Sequence, residues 1–251
     1  MRLTTQGIVL REVNYREADK ILTVLTRDFG KQTVKAPGCR RKTSRLTAGS
    51  QLLVYSDMTF NQRGDFTTLA EADPQQQFWG VREDLENLAL ASYFAEVLGT
   101  EAEDAPMDAD VQRLALNCLY ALANDLCEPR VVKAAFELRY MQLSGYAPDL
   151  TGCAVCGRED PVLPVALLES GNVRCHGCAL PGSVGKQMPI SAAVLQAARY
   201  ILSCDLKKLF SFRLPPDDLE RLGKVCEAWL LACMERGFRT LDFYKSVGET
   251  P

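Results

Sequence analysis

Short runs of alternating apolar and polar residues fill the first third of the chain. Gly7-Ile8-Val9-Leu10, Lys20-Ile21-Leu22-Thr23-Val24-Leu25-Thr26 and Lys31-Gln32-Thr33-Val34-Lys35 each read as a β-strand bounded by Gly, Asn or Asp. Asp28-Phe29-Gly30 predicts a hairpin turn between the second and third strands. Two further runs, 51–60 and 66–70, flank the turn Asn61-Gln62-Arg63-Gly64 and bring the number of strands to five. Five short strands in so few residues predict a small closed barrel of the OB type, a shape that leaves no strand edge open to pairing with another chain.

The period becomes helical after Asp73-Pro74. Val81, Leu85, Leu88, Ala89 and Tyr93 follow one stripe; Val111, Leu114, Cys118 and Leu122 follow a second; Val132, Phe136, Leu138 and Tyr140 form a third after Pro129, which suits a helix start. Ile190, Val194, Ala197 and Ile201, then Leu219, Leu222, Val225, Trp229 and Ala232, predict a later helix pair. The expectation is an α+β chain, with an OB-fold barrel over 1–79, a helical bundle over 80–251 and a small inserted module at 150–188. Cys118, Cys127, Cys204, Cys226 and Cys233 are expected to be small buried hydrophobes in the helices.

Composition excludes disorder: 47% of the 251 residues are apolar and 24% are charged. No apolar stretch follows Met1-Arg2, and the longest apolar run, 228–234, is too short to span a bilayer, so no membrane association and a cytoplasmic location are expected. In that reducing compartment ten cysteines point to thiols and metal ligands before disulfides.

The strongest motif is Cys153-Ala-Val-Cys156 followed, after a Pro- and Gly-containing spacer, by Cys175-His-Gly-Cys178. Each CxxC turn directs two thiolates to one side of a tight loop, and two such turns supply the four sulfurs of a tetrahedral Zn2+ site. Ligation by four cysteines also serves iron–sulfur clusters, which stay open as an alternative. Four protein ligands leave the metal no position for an activated water, so the zinc is expected to be structural. His176 is the only histidine and lies inside the second knuckle, which removes the usual Ser-His-Asp and Cys-His arrangements. The stretch Gly182-Ser-Val-Gly-Lys-Gln187 departs from a P-loop in glycine spacing and in having Gln187 where Ser or Thr is needed, so no nucleotide hydrolysis is expected.

The net charge of −3 conceals an asymmetry. Through Trp79, twelve basic residues face eight acidic ones; from Val81 to Glu128, two basic residues face eleven acidic ones. Lys31, Lys35, Arg40, Arg41, Lys42 and Arg45 occur with no acidic residue until Asp57. Such a cluster neutralises phosphates and releases counterions, giving sequence-independent, salt-sensitive binding of nucleic acid. Tyr15, Phe29, Tyr55, Phe60 and Phe66 are candidate stacking platforms for unpaired bases. A zinc-containing protein-interaction adaptor without DNA binding is the alternative reading, and a zinc enzyme with an open metal position is another.

Gly7-Ile-Val-Leu10, Tyr15-x-Glu17-x-Asp19-x-Ile21-Leu22, Thr26-x-x-x-Gly30, Lys35-x-x-Gly38-x-Arg40-Arg41-x-x-Ser44, Phe136-Glu137-Leu138, Gly145-Tyr146-x-Pro148 and Leu241-Asp242-Phe243 occur in that order with the first knuckle. In this order the chain resembles the RecO family of bacterial DNA repair and recombination mediators over nearly its whole length. The resemblance implies a non-enzymatic protein that binds single- and double-stranded DNA and anneals complementary strands. It further implies work with RecR and single-stranded DNA-binding protein to load the RecA recombinase, RecF as a further partner, and association with the nucleoid during repair. The family's DNA-binding basic residues correspond to Lys35, Arg40, Arg41 and Lys42; Lys31 and Arg45 are added from charge alone. Cys39 stands where a small residue is more usual.

Overall fold

The computed structural model describes residues 1–64, 66–100, 108–179 and 185–248. Five strands close a barrel: β1 (Arg2–Tyr15), β2 (Asp19–Thr26), β3 (Gly30–Ala36), β4 (Tyr55–Arg63) and β5 (Phe66–Gln76), in the order β1-β2-β3-β5-β4. The β3–β5 pair is parallel and the others are antiparallel, the OB arrangement. β1 is longer than its apolar run because it serves two neighbours. Residues 2–8 pair with β4 and residues 7–15 with β2, with a register shift between Val9 and Arg11. Gly7 lies where the two ladders overlap, and a Cβ there would sit 2.7 Å from the Val24 side chain.

Alternation along the strands fills the barrel with Val9, Leu22, Val24, Val34, Met58, Phe60 and Leu69. The predicted fourth strand is a correction: residues 51–54 form a turn, and the strand starts at Tyr55. Their apolar pattern has a different cause. Leu53 and Val54 are buried, the Leu53 N–H donates to the Val9 carbonyl (2.8 Å), and the Val9 N–H donates to the Val54 carbonyl (3.2 Å).

The chain divides into two compact units, one of Met1–Gln112, Leu122–Asn124 and Phe238–Pro251, the other of Arg113–Ala121 and Asp125–Gly237. The first holds the barrel with α1 (Trp79–Glu83), α2 (Leu85–Leu98) and α7 (Arg239–Gly248). The single stripe expected from Val81 to Tyr93 is broken at Asp84, whose backbone is extended and whose side chain caps α2 by accepting from the Asn87 N–H at 2.8 Å. α2 packs on α7, and Tyr93 meets Phe238 edge-on at 5.7 Å. The residues of α3 (Ala109–Ala123) are divided between the units.

The second unit contains α4 (Pro129–Leu143), α5 (Ala192–Ser203) and α6 (Pro216–Met234), with a four-stranded sheet of β6 (Asp149–Cys153), β7 (Pro164–Leu167), β8 (Asn172–Cys175) and β9 (Gln187–Pro189) in the order β6-β8-β7-β9. Pro129 and Pro216 occupy first-turn positions where no N–H is needed, and Ser191 caps α5 through the Val194 N–H. Val194, Ile201, Leu222, Val225 and Trp229 are buried along the predicted stripes. At the centre of α4, Lys133 Nζ lies 2.8 Å from Glu137 Oε1 and 2.9 Å from Glu227 Oε2 of α6. Burial works against the ammonium, but the two carboxylates outweigh it and raise the Lys133 pKa.

Cys118 and Cys226 are buried as expected, whereas Cys127, Cys204 and Cys233 are half-buried, and Cys127 and Cys204 lie outside the helices. Of the P-loop-like stretch, 182–184 lie outside the described residues, and Gln187 opens β9. No helix among the described residues is long and apolar enough to cross a membrane.

Candidate nucleic-acid interface and metal centre

The segment between β3 and β4 contributes to the barrel's own core. Cys39 (2% exposed) and Leu46 are buried in the barrel cluster, so two anchors hold the ends of an arc that contains Arg40, Arg41, Lys42 and Arg45, all exposed. Burial of the Cys39 thiol pushes its pKa up, which keeps it an uncharged plug. The unusual residue in the basic stretch is therefore an apolar anchor.

A carboxylate clamps the near end of the arc. Asp19 Oδ1 accepts the Gly38 N–H at 2.7 Å, and Oδ2 lies 3.0 Å from Lys35 Nζ. The Gly38 amide first, and Lys35 second, lower the Asp19 pKa, so the clamp is intact at neutral pH and is lost only as pH falls below the ordinary carboxylate range. Gly38 has φ +63, a left-handed turn that suits a residue without Cβ. Arg40 is docked on the β1–β2 turn: its N–H donates to the Ala18 carbonyl (3.0 Å) and its Nη1 to the Glu17 carbonyl (3.1 Å).

This docking brings in a residue that the charge pattern did not single out. Arg16 lies over the Tyr15 ring at 5.2 Å, and Lys35 Nζ lies 5.6 Å from the same ring. In sequence Arg16 is offset by the nearby Glu12, Glu17 and Asp19, and only the folded barrel reveals that the β1–β2 turn and the basic arc share one end of it. Lys31 is at the opposite end of β3, paired with Leu25 while Lys35 is paired with Ile21, and its Nζ donates to the Gly99 carbonyl at the end of α2 (3.0 Å). The aromatic candidates also separate. Phe60 is core; Phe29 and Tyr55 are half-buried; Tyr15 and Phe66 are exposed.

The second feature is a sulfur cluster. The first knuckle follows β6 and the second follows β8; register brings Cys153 opposite Val173. The four Sγ atoms of Cys153, Cys156, Cys175 and Cys178 lie within 4.8 Å of one another, with Cys156 and Cys175 at 3.9 Å. Zinc–sulfur bonds of about 2.3 Å in a tetrahedron place sulfurs roughly 3.8 Å apart, so the cluster could hold a metal ion. Cys153 is buried, which works against a thiolate, but N–H groups of Cys156, Cys175 and Val155 overcome this and bring its pKa to about 6. Hydrogen bonding with Cys156, burial and neighbouring thiolate charge push Cys178 up to about 12. Four crowded sulfurs resist carrying four negative charges; a cation at their centre removes that conflict. His176 is exposed and stands outside the cluster.

The module is braced by arginines. Arg174 Nη1 donates to the carbonyls of Cys175 (2.8 Å), His176 (2.9 Å) and Cys178 (2.9 Å), and so fixes the second knuckle. Arg199 of α5 donates to the Leu150 carbonyl (2.8 Å) and pairs with Asp160 (2.9 Å), while the Trp229 indole N–H of α6 donates to the Leu167 carbonyl (3.1 Å). The insertion is built into the second unit's helices.

Two family models divide the chain between them: recombination protein O N terminal over residues 1–78 and recombination protein O C terminal over residues 82–242. A DNA repair protein RecO of Acetivibrio thermocellus is 32% identical, with 98% of this chain and 97% of the relative covered. A protein of the same name from Desulforudis audaxviator is 31% identical over 97% of this chain and 96% of its own length. Barrel, helices and cysteine cluster thus occur in a chain that belongs to the RecO family of DNA repair proteins.

Proposed function

We propose that this chain is a non-enzymatic recombination mediator that binds single- and double-stranded DNA through the barrel and its basic arc. It anneals complementary strands and assists recombinase loading onto DNA coated by single-stranded DNA-binding protein, with RecR and RecF as further partners at the nucleoid. The observation that carries the reading is the anchoring of the arc: Cys39 and Leu46 inside, Asp19 at its near end, and Arg40, Arg41, Lys42 and Arg45 outside. A positive arc whose backbone is fixed at both ends meets phosphates at a lower ordering cost than a free loop would, and phosphate contacts leave the bases free to pair. Two like-charged strands held in this way approach each other with their repulsion reduced. The bound metal is proposed to be Zn2+, held by Cys153, Cys156, Cys175 and Cys178, where it would cross-link the two knuckles and carry no reaction.

The test is binding of purified protein to single strands of two unrelated sequences across a salt series, with annealing measured on the same preparation. Expected are equal affinities for the two sequences, a steep loss with salt, and faster annealing than of the strands alone. Absence of binding at low salt would remove the reading in favour of an adaptor.

Lys35, Arg40, Arg41, Lys42 and Arg45 are the proposed phosphate contacts, and Lys31 offers a contrast among the basic residues. Its ammonium is bonded to the Gly99 carbonyl at the far end of β3. Lys31→Met is therefore expected to leave the salt slope unchanged, alter affinity by less than about twofold, and cost about 1 kcal/mol of stability through the lost hydrogen bond. A salt-slope decrease like that of an arc arginine would instead make Lys31 a phosphate contact.

A further inference from the structure

Beside the basic arc the first unit has an open cleft of about 490 Å³. Asn14, Lys20, Arg40, Thr47, Gln51 and Arg82 are among the residues that line it. Glu12 also faces it and is paired with Lys20 at 2.8 Å, which leaves the wall with an excess of positive charge from Arg40 and Arg82. Arg40 therefore belongs both to the arc and to the cleft, making the two surfaces continuous.

Arg82 is fixed. Its Nη1 and Nη2 each donate at 2.6 Å, to the Gln77 and Leu52 carbonyls, and its guanidinium lies 5.2 Å from the centre of the Trp79 ring. Trp79 itself is 57% exposed, in a chain where the other tryptophan, Trp229, is buried. The backbone on either side of Trp79 is held. Phe78 is buried in a left-handed conformation at φ 47, and Gly80 packs so closely that a Cβ would lie 2.0 Å from the Ala123 carbonyl oxygen. An indole that is held at its backbone, backed by a fixed guanidinium and exposed to solvent is a preorganised stacking plane. Burying it in the unit's apolar core would have been the ordinary fate of such a side chain.

We propose that Trp79 is a base-stacking residue for single-stranded nucleic acid, receiving an unpaired base where a strand leaves the basic arc and passes along the cleft lined by Arg40 and Arg82. This rests on the DNA-binding reading above and adds to it a base-dependent contact outside the barrel's strands. Phosphates would be held by the arc and the cleft's cations while one base lies on the open face of the indole. Stacking is indifferent to base identity because every base offers a π face, so sequence-independence is preserved. A duplex keeps its bases stacked on each other and cannot use this plane.

The experiment uses the full chain and two oligomers of equal length, one of thymidines and one of abasic sites, with binding followed by anisotropy and tryptophan emission recorded in the same titration. Expected are quenching of Trp79 emission by the thymidine oligomer, little quenching by the abasic one, and about tenfold tighter binding of the thymidine oligomer. Trp79→Ala should erase that tenfold preference, and Trp79→Phe should restore part of it. Emission from Trp229 and an unchanged unfolding midpoint would establish that the alanine variant is folded. Equal quenching by both oligomers, or a preference for bases that survives in Trp79→Ala, would overturn the proposal while leaving the basic arc as the DNA site. Failure of both oligomers to bind at low salt would overturn the DNA-binding reading and this proposal with it.

Discussion

Replacing Arg40 and Arg41 together with alanine is expected to weaken binding to single-stranded DNA by about 10- to 100-fold at low salt, and to lower the steepness of the salt dependence by about 1.4. The second figure follows from two lost phosphate contacts, each releasing about 0.7 counterions on a single strand. The loss should be the same for unrelated sequences, because phosphates carry no base information. Both guanidinium groups are exposed. Arg40 Nη1 bonds one turn carbonyl, at Glu17, but its backbone N–H bond to Ala18 survives truncation, and the anchors Cys39 and Leu46 are untouched. The variant should therefore melt within a few degrees of the parent, so that an affinity loss reports lost contacts. Anisotropy titrations at four or more salt concentrations decide the matter. An unchanged slope would move the DNA site away from the arc, whatever happened to the affinity at one salt concentration.

The residues differ in how far their positions could be read from sequence. Period-two alternation located all five strands, because each strand has one face toward the barrel interior. It misplaced the start of β4, because Leu53 and Val54 are buried by a turn, and burial writes the same apolar run whether or not the backbone is extended. Knuckle spacing predicted the sulfur cluster, since two CxxC turns need only be brought together by β6 and β8 pairing, whatever the helices do. The basic arc was legible as charge but not as geometry. Asp19 is one acidic residue among several in sequence, and its role as the clamp on Gly38 and Lys35 depends on the β2–β3 register. The same register sets Lys31 opposite Leu25 and Lys35 opposite Ile21, so that only Lys35 comes to the Asp19 end of β3. Trp79 left no signal at all: its neighbour Gly80 packs against Ala123, a residue distant in the chain, and Phe78 is buried beside it.

Substituting Cys153→Ser is expected to have the largest effect of any single change in the chain. Cys153 is 3% exposed, and its sulfur accepts N–H groups from Val155 (3.5 Å) and Cys175 (3.3 Å), so it joins the two knuckles even before a metal is considered. A serine hydroxyl stays protonated where a thiol ionises, so the proposed zinc would lose one of four anionic ligands and its closed tetrahedron. Structural zinc contributes an apparent 10–16 kcal/mol or so to small domains, as much as the whole stability of a typical protein, and a site broken at one ligand forfeits a large part of it. The β6–β9 sheet should then lose its fold. α5 and α6 would lose partners with it, because Arg199 and Trp229 bond carbonyls of that sheet. Metal analysis should fall from one zinc per chain toward none, and the melting curve should lose its cooperative transition or shift down by more than 10 °C. DNA affinity should change by less than about threefold, since the arc is anchored in the barrel's own core. A chelator added to the parent protein should reproduce the loss. A brown protein with visible charge-transfer absorption would replace zinc with an iron–sulfur cluster at the same four cysteines. Loss of the metal with an unaltered melting curve would mean that the sheet and the arginine braces hold the module by themselves, and that the metal is not structural.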